Sequence, residues 1–324
     1  MNSFGKHFRV SIFGESHGPQ LGVVLDGVPA GIPLTEEDFA ADIAHRAPGA
    51  AGTTPRKESD IPHLLSGVFE GHTSGAPLAI VFDNGNTRSA DYSQFQAIPR
   101  PGHADFTAAL KFDGYNDPRG SGHFSGRLTV GIVAAGVVAK KILSDCFPDF
   151  SVKARLVSVG GCSDSHRWAE LIAQTQMEGD SLGGVVECTL SGLPAGLGEP
   201  FWDSVEALVS HAVFSIPGVR GIEFGDGFAA ASMKGSEHND PFGADGPLKN
   251  GSGGVNGGIT NSAPVVFRVA FKPTSSISKP QTTFNYEASQ PETLVVKGRH
   301  DACFCQRCPV IVEAMAAIVF ADLI

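Results

Sequence analysis

The strongest constraint on this chain is a repeat inside it. The segment "GESHGPQLGVVLDGVPAG" (14–31) returns without a gap as "GDSLGGVVECTLSGLPAG" (179–196), 165 residues later. Gly14, Ser16, Gly18, Leu25, Gly27, Pro29, Ala30 and Gly31 each meet their own residue type in the second copy. The segments that follow, "TEEDFAADIAHR" (35–46) and "FWDSVEALVSHAV" (201–213), share a helical pattern. In the second, Val205, Leu208, Val209, Ala212, Val213 and Ile216 fall on one face at helical spacing. An apolar helix predicted around 127–143 likewise corresponds to the closing "PVIVEAMAAIVFADLI" (309–324). Two such copies predict one domain over 1–324, with halves of approximately 8–145 and 175–324 related by an internal pseudo-twofold and sharing one core.

Strand signals flank the repeated loops: "FRVSIF" (8–13), "LGVVLDG" (21–27), "LAIVFDN" (78–84), "GGVVECTLSG" (183–192) and "APVVFRVAF" (263–271). The last alternates clearly, which favours half-buried antiparallel strands over a parallel sheet. The expected fold class is α+β.

Composition narrows the partners. The chain has 324 residues, 42% hydrophobic and 18% charged, the balance of a globular protein. A formal charge of −10 argues against nucleic acid or an anionic membrane as partner, while a few converging arginines can still hold a small anion. The opening "MNSFGKHFRVSIFGESHG" lacks the apolar region and cleavage site of a signal peptide. The longest apolar stretch, "VGIVAAGVVA" (130–139), is too short to span a bilayer and reads as a buried helix. A cytoplasmic location is expected, with free thiols at Cys146, Cys162, Cys188, Cys303, Cys305 and Cys308. His300 beside "CFCQRC" (303–308) suggests a metal cluster, but Cys-x-Cys-x-x-Cys is not a usual zinc spacing, so no metal is expected.

Several loops could carry chemistry. In "FGESHGPQLG" (13–22) the glycines and Ser16 recur in the second copy, whereas His17 meets Leu182. The turn belongs to the scaffold and the imidazole was added to one copy. "RPGHAD" (100–105) places Arg100 and His103 on a short Pro-Gly turn. In "GSGHFSGRLT" (120–129) Ser125 and Arg127 open the apolar helix, where free backbone N–H groups suit a phosphate. "NGSGGVNGGIT" (250–260) is glycine-rich without the strand–helix context of a dinucleotide fold. "FKPTSSISKP" (271–280) supplies one cation and three hydroxyls, and "KGRHDACF" (297–304) sets Arg299, His300 and Asp301 side by side. Arginines, two histidines, a carboxylate and hydroxyls, with no clear nucleophile, point to acid–base chemistry on a multiply charged, phosphorylated anion.

These motifs, with "LSGVFEG", "EGDSLGG", "GLPAGLGEP", "GIEFGDGF", "KPTSSI" and "GRHD", resemble the chorismate synthase family in the same order from residue 8 to the C-terminus. The resemblance implies conversion of 5-enolpyruvylshikimate 3-phosphate to chorismate by anti 1,4-elimination of phosphate and a ring hydrogen. It implies reduced FMN as a cofactor, required without net redox change. It also implies a β-α-β sandwich, helices between antiparallel sheets, assembled as a homotetramer. NADPH is expected only indirectly, through a separate flavin reductase, because no nucleotide-binding domain is visible. The alternative from another class is a non-catalytic binder of a phosphorylated anion.

Carried over by position, the family's first catalytic histidine falls on His17, implied to protonate the departing phosphate. The second falls on His103, implied to balance the charge of the reduced ring. The carboxylate falls on Asp301, implied to take a proton from the flavin so that N5 can accept the ring hydrogen. Ser16, Arg46, Arg56, Arg100 and Arg127 match substrate-holding positions, where a planar fork suits phosphate and carboxylate. FMN contacts fall on His123, Phe124, Ser125 and Gly126, on Pro217 and Gly218, on Asn250 and Gly257, on Lys272, Pro273, Thr274, Ser275 and Ser276, and on Arg299. The chain departs from the pattern where many relatives carry Arg in place of His123, Glu in place of Leu128, and a basic residue aligned with Gly52. Fewer cations imply a weaker grip on substrate, not a different reaction.

Overall fold

The alternating segments become central strands of two antiparallel sheets. The structure, a computed structural model, describes residues 2–49, 52–53, 59–85, 89–244, 246–298 and 300–324. The first sheet runs in the order Ser3–Phe4, Arg9–Gly14, Gln20–Asp26, Leu78–Asp83, His63–Ser66. The second runs Ser151–Val159, Gly184–Ser191, Val265–Phe271, Val219–Phe224. Leaving out the short edge strand Ser3–Phe4, each sheet reads first, second, fourth, third in its own chain order. Val265–Phe271 alternates strictly between buried and half-buried residues, as the sequence pattern predicts. Ser151–Val159 lies in the interval between the two expected halves and opens the second sheet; its alternation in "SVKARLVSV" is the signal that would have found it.

A short helix, Ala40–Arg46, connects the second and third strands of the first sheet, and Val205–Val213 does the same in the second. Ser204 caps the latter, its hydroxyl accepting from the Ala207 N–H at 3.1 Å. A long helix follows the fourth strand in each unit: Thr129–Cys146 and Pro309–Asp322. Residues 130–139 are all buried, and the last helix is buried almost all round, so neither has a solvent face over that length. Thr129–Cys146 packs on the first sheet, Pro309–Asp322 on the second, and the two pack on each other. The helices therefore fill the space between the sheets, and the architecture is the expected α+β sandwich. No described helix is long and apolar enough to cross a membrane.

Both long helices begin on the same side of this core. Gly126 and Thr129 from one, and Arg307 and Cys308 from the other, line one narrow cleft. The loops that carry the candidate chemistry gather over it.

Candidate active site

The Pro-Gly turn of "RPGHAD" bends back on itself, with Gly102 at φ +68° and the His103 N–H donating to the Arg100 carbonyl at 3.2 Å. Arg100 is buried and grips Asp105 with two parallel bonds, Nε to Oδ2 and Nη2 to Oδ1, both at 2.7 Å. Its guanidinium also lies 4.4 Å from the Phe95 ring centre. His103 Nδ1 stands 2.7 Å from the same carboxylate, and Nε2 is 3.0 Å from the Ser121 hydroxyl. The carboxylate contact assigns the Nδ1 proton, leaving Nε2 as acceptor while the ring is neutral. Ser121 holds φ +74°, a left-handed conformation uncommon for serine, between Gly120 and Gly122.

Burial depresses the pKa of His103; Asp105 opposes this and Arg100 adds to it. His300 is depressed by the same two causes, burial first and then Arg100. Burial alone would raise Asp105, but bonds from Arg100 and His103 hold its carboxyl well below the usual carboxylate range. The unfolded chain takes up a proton on each imidazole near pH 6.5, and the folded chain only at lower pH. Stability therefore rises with pH in the window just below about 6.5 and is lost as acid is added. Asp105, depressed in the other sense, keeps its contribution until far more acidic conditions. Melting temperature is expected to fall between pH 7 and pH 5, and His103→Gln to flatten that slope; an unaltered slope would contradict the burial argument.

Deeper in, Arg46, Asp60 and Arg127 form one buried unit. Asp60 Oδ2 accepts from Arg46 Nη1 at 3.0 Å and Oδ1 from Arg127 Nη1 at 2.6 Å. All three are at most 7% exposed, and two cations on one carboxylate leave an excess positive charge that an anion would complete. Asn84 Oδ1 holds Arg127 Nε at 3.0 Å, and Thr129 Oγ1 holds Arg46 Nε at 3.0 Å. Ser125 caps the helix start, its hydroxyl accepting from the Arg127 N–H at 3.2 Å.

Two cavities open above these groups. The smaller, about 280 Å³, is lined by Ser16, Arg46, Arg100, Arg127, Ser276 and His300 among others. The larger, about 730 Å³, takes in His123, Phe124, Pro217, Gly218, Lys272 and Pro273. They share walls at His103, Ser121, Ser125, Gly126, Thr274, Ser275, Asp301 and Arg307. Lys272 donates to Ser275 at 2.8 Å and to the Gly102 carbonyl, tying the two loops together. Burial and Arg220 lower its pKa. Gly218, at φ +95°, lies against Phe304: a Cβ there would meet the ring at 2.5 Å. His123 is anchored, Nδ1 to the Gly14 carbonyl at 2.8 Å and Nε2 to Asn2 at 3.1 Å.

Three expected residues line neither cavity. His17 is 7% exposed and stands behind the wall, edge-on to Tyr92. Asn250 donates to the Pro264 carbonyl at 2.8 Å, and Gly257 sits at the tip of the ribbon Val255–Asn256/Ile259–Thr260. Arg56 and Arg299 lie outside the described residues. The sequence reading missed Asp60, Asp105, Ser121 and Arg307. For Arg307 a signal was present: it precedes the helix at Pro309 by two residues, as Arg127 precedes the helix at Thr129. Cys303, Cys305 and Cys308 are buried thiols, and burial pushes the Cys308 thiol up. Among the described residues no group of three or more His, Cys, Asp or Glu is placed to hold a metal.

Comparison with known proteins agrees with this geometry. The chorismate synthase family model matches residues 8–324. A protein of Chitinophaga pinensis named chorismate synthase is 58% identical over 324 residues, covering 99% of this chain and 96% of that one. One from Korarchaeum cryptofilum with the same name is 45% identical over 348 residues, covering 98% and 96%. A crystal structure of chorismate synthase superposes with a TM-score of 0.74 at 26% identity, over 99% of this chain and 92% of the other. The chain belongs to the chorismate synthase family.

Proposed function

We propose that His17, His103 and Asp301 carry the chemistry of this chain, which as a chorismate synthase is a lyase of aromatic amino acid biosynthesis. The reaction is elimination of phosphate from 5-enolpyruvylshikimate 3-phosphate. The observation that carries the assignment is the meeting of two cavities at His103, Ser121, Asp301 and Arg307. The smaller is rich in guanidinium groups and suits a substrate with several anionic groups; the larger suits a planar cofactor with a phosphate tail.

Reduced FMN is the proposed cofactor. The residues present fit it: Phe124, Ile216, Pro217 and Phe304 give an apolar wall, Lys272 and Ser275 supply polar contacts, and the Thr274 hydroxyl is buried without a partner. When bound, the reduced flavin lends electron density to the substrate ring as phosphate leaves and recovers it in the same turnover. Arg46, Arg100 and Arg127 set the positive field that holds the substrate and stabilises the departing phosphate. His17 is the proton source for that phosphate. His103, neutral in the empty site, takes up a proton at Nε2 when an anionic group lies beside it, since the anion offsets the desolvation that lowers its pKa. Asp301 accepts a proton where the cavities meet. Asn250 and Gly257 reach a cofactor only across a subunit contact, in the homotetramer proposed with this reading. The single domain with its duplicated halves and a cytoplasmic location belong to the same proposal. Membership of the family leaves the non-catalytic anion binder without support.

The test is anaerobic incubation of the purified chain with chemically reduced FMN and the substrate. Chorismate and phosphate are expected in equal amounts, and absence of both would overturn the proposal. With NADPH and oxidised FMN alone no product is expected, because a separate reductase is proposed; turnover there would remove that partner.

A further inference from the structure

The arginines that face the smaller cavity are largely occupied by the protein itself. Arg46 donates to Thr129, Asp60 and the carbonyls of Gly126 and Arg127. Arg100 donates twice to Asp105 and once each to Ser276 and Ser121. Arg127 donates to Asn84, Asp60 and the Asp83 carbonyl. Arg307 differs. Its Nη2 donates to Asp301 Oδ2 at 2.7 Å, while its Nε–H is buried with no acceptor. A buried donor left unpaired is costly, so an oxygen arriving there is favoured.

Position supports the same reading. Among the described residues Arg307 is the arginine that lines both cavities, and it also lines the cleft of about 40 Å³ beside Arg46. It stands ahead of one long helix as Arg127 stands ahead of the other, so both guanidinium groups and both positive helix ends face the same space. Asp301 fixes one edge of the Arg307 fork and leaves the Nε edge for a ligand.

We propose that Arg307 is a substrate-binding residue: held by Asp301 through Nη2, it offers Nε–H to an anionic oxygen of the substrate where the two cavities meet. The proposal rests on the function proposed above. A cofactor phosphate would present the same chemistry from the larger cavity, and the experiment separates the two sources.

Oxidised FMN leaves the substrate unconverted, so substrate binding to the chain loaded with it can be read from the flavin difference spectrum. Arg307→Gln is expected to bind 5-enolpyruvylshikimate 3-phosphate at least ~30-fold more weakly than the parent chain. Arg307→Lys, which keeps the charge and loses the fork, is expected to lose at least ~5-fold. FMN affinity, from quenching of flavin fluorescence, is expected to stay within about twofold in both. Melting curves establish that each variant is folded, and the Lys variant decides the matter if the Gln variant is not. Substrate affinity within about threefold of the parent in both variants would overturn the proposal, as would a loss that falls on FMN instead. A parent chain that neither binds the substrate nor forms chorismate would be a failure of the functional reading, distinct from a parent that does both with unaltered variants.

Discussion

Replacing His17 with alanine is expected to slow phosphate release at least ~100-fold while substrate affinity in the oxidised-flavin complex stays within about tenfold. A positioned general acid contributes on the order of 10² to 10⁴ in rate, and no other described imidazole faces Ser16. The geometry concentrates the expectation on one spot. Gly120, at φ +58°, lies over the imidazole: a Cβ built there would be 2.6 Å from His17 Nε2 and 2.6 Å from Ser16 Oγ. Gly120 and Ser16 both line the smaller cavity, so only a residue without a side chain separates the ring from it. The competing reading makes His17 a packing residue, filling space beside Tyr92 at a ring separation of 5.2 Å. Packing alone predicts a lower melting temperature and near-normal phosphate release. Gly120→Ala tests the same point from the cavity side. It is expected to cost about tenfold in the parent and nothing further on top of His17→Ala. If phosphate release survives His17→Ala within about threefold, His17 is not the proton source.

What the sequence made legible was whatever repeats or alternates. Leu21, Val23 and Leu25 are fully buried in the strand that the repeat marks, and the run 130–139 forms the expected buried helix. Period-two and 3.6-residue patterns survive in a linear string because they record which face meets the core. The loop chemistry was legible as residue types but not as pairs. Arg127 was expected at a helix start, yet nothing in the string says that Asp60 crosses to meet it at 2.6 Å and turns it inward. Asp105 was quoted within "RPGHAD" without being seen as the group that fixes both Arg100 and His103. Such pairings join residues far apart or depend on the φ of one turn, as at Ser121, and carry no period. The same holds for the cavities, whose walls come from loops in both halves and exist only once the two long helices are packed.

That packing has one critical point, and Gly136→Val is expected to destabilise the chain by about 3 kcal/mol or more. Gly136 sits midway along Thr129–Cys146, where a Cβ would lie 2.3 Å from the Ala314 Cβ and 2.5 Å from its Cα. These neighbours belong to the backbone and first side-chain atom of Pro309–Asp322, so no rotamer change relieves the contact; the helices must move apart. Gly136→Ala sets this clash against the roughly 1 kcal/mol that alanine gains over glycine inside a helix. The clash is expected to win, and Ala314→Gly made in the same chain to recover most of the loss, because it removes the facing methyl. Denaturant midpoints of the two single variants and the double measure the coupling, and simple additivity would show that the helices do not meet here as described. The effect should reach the site as well. Arg127 and Arg307 ride at the starts of these helices, so spreading them widens the gap between the guanidinium groups that face the substrate. In any folded Gly136 variant substrate affinity is therefore expected to fall, though the substitution lies in the buried core and touches neither cavity.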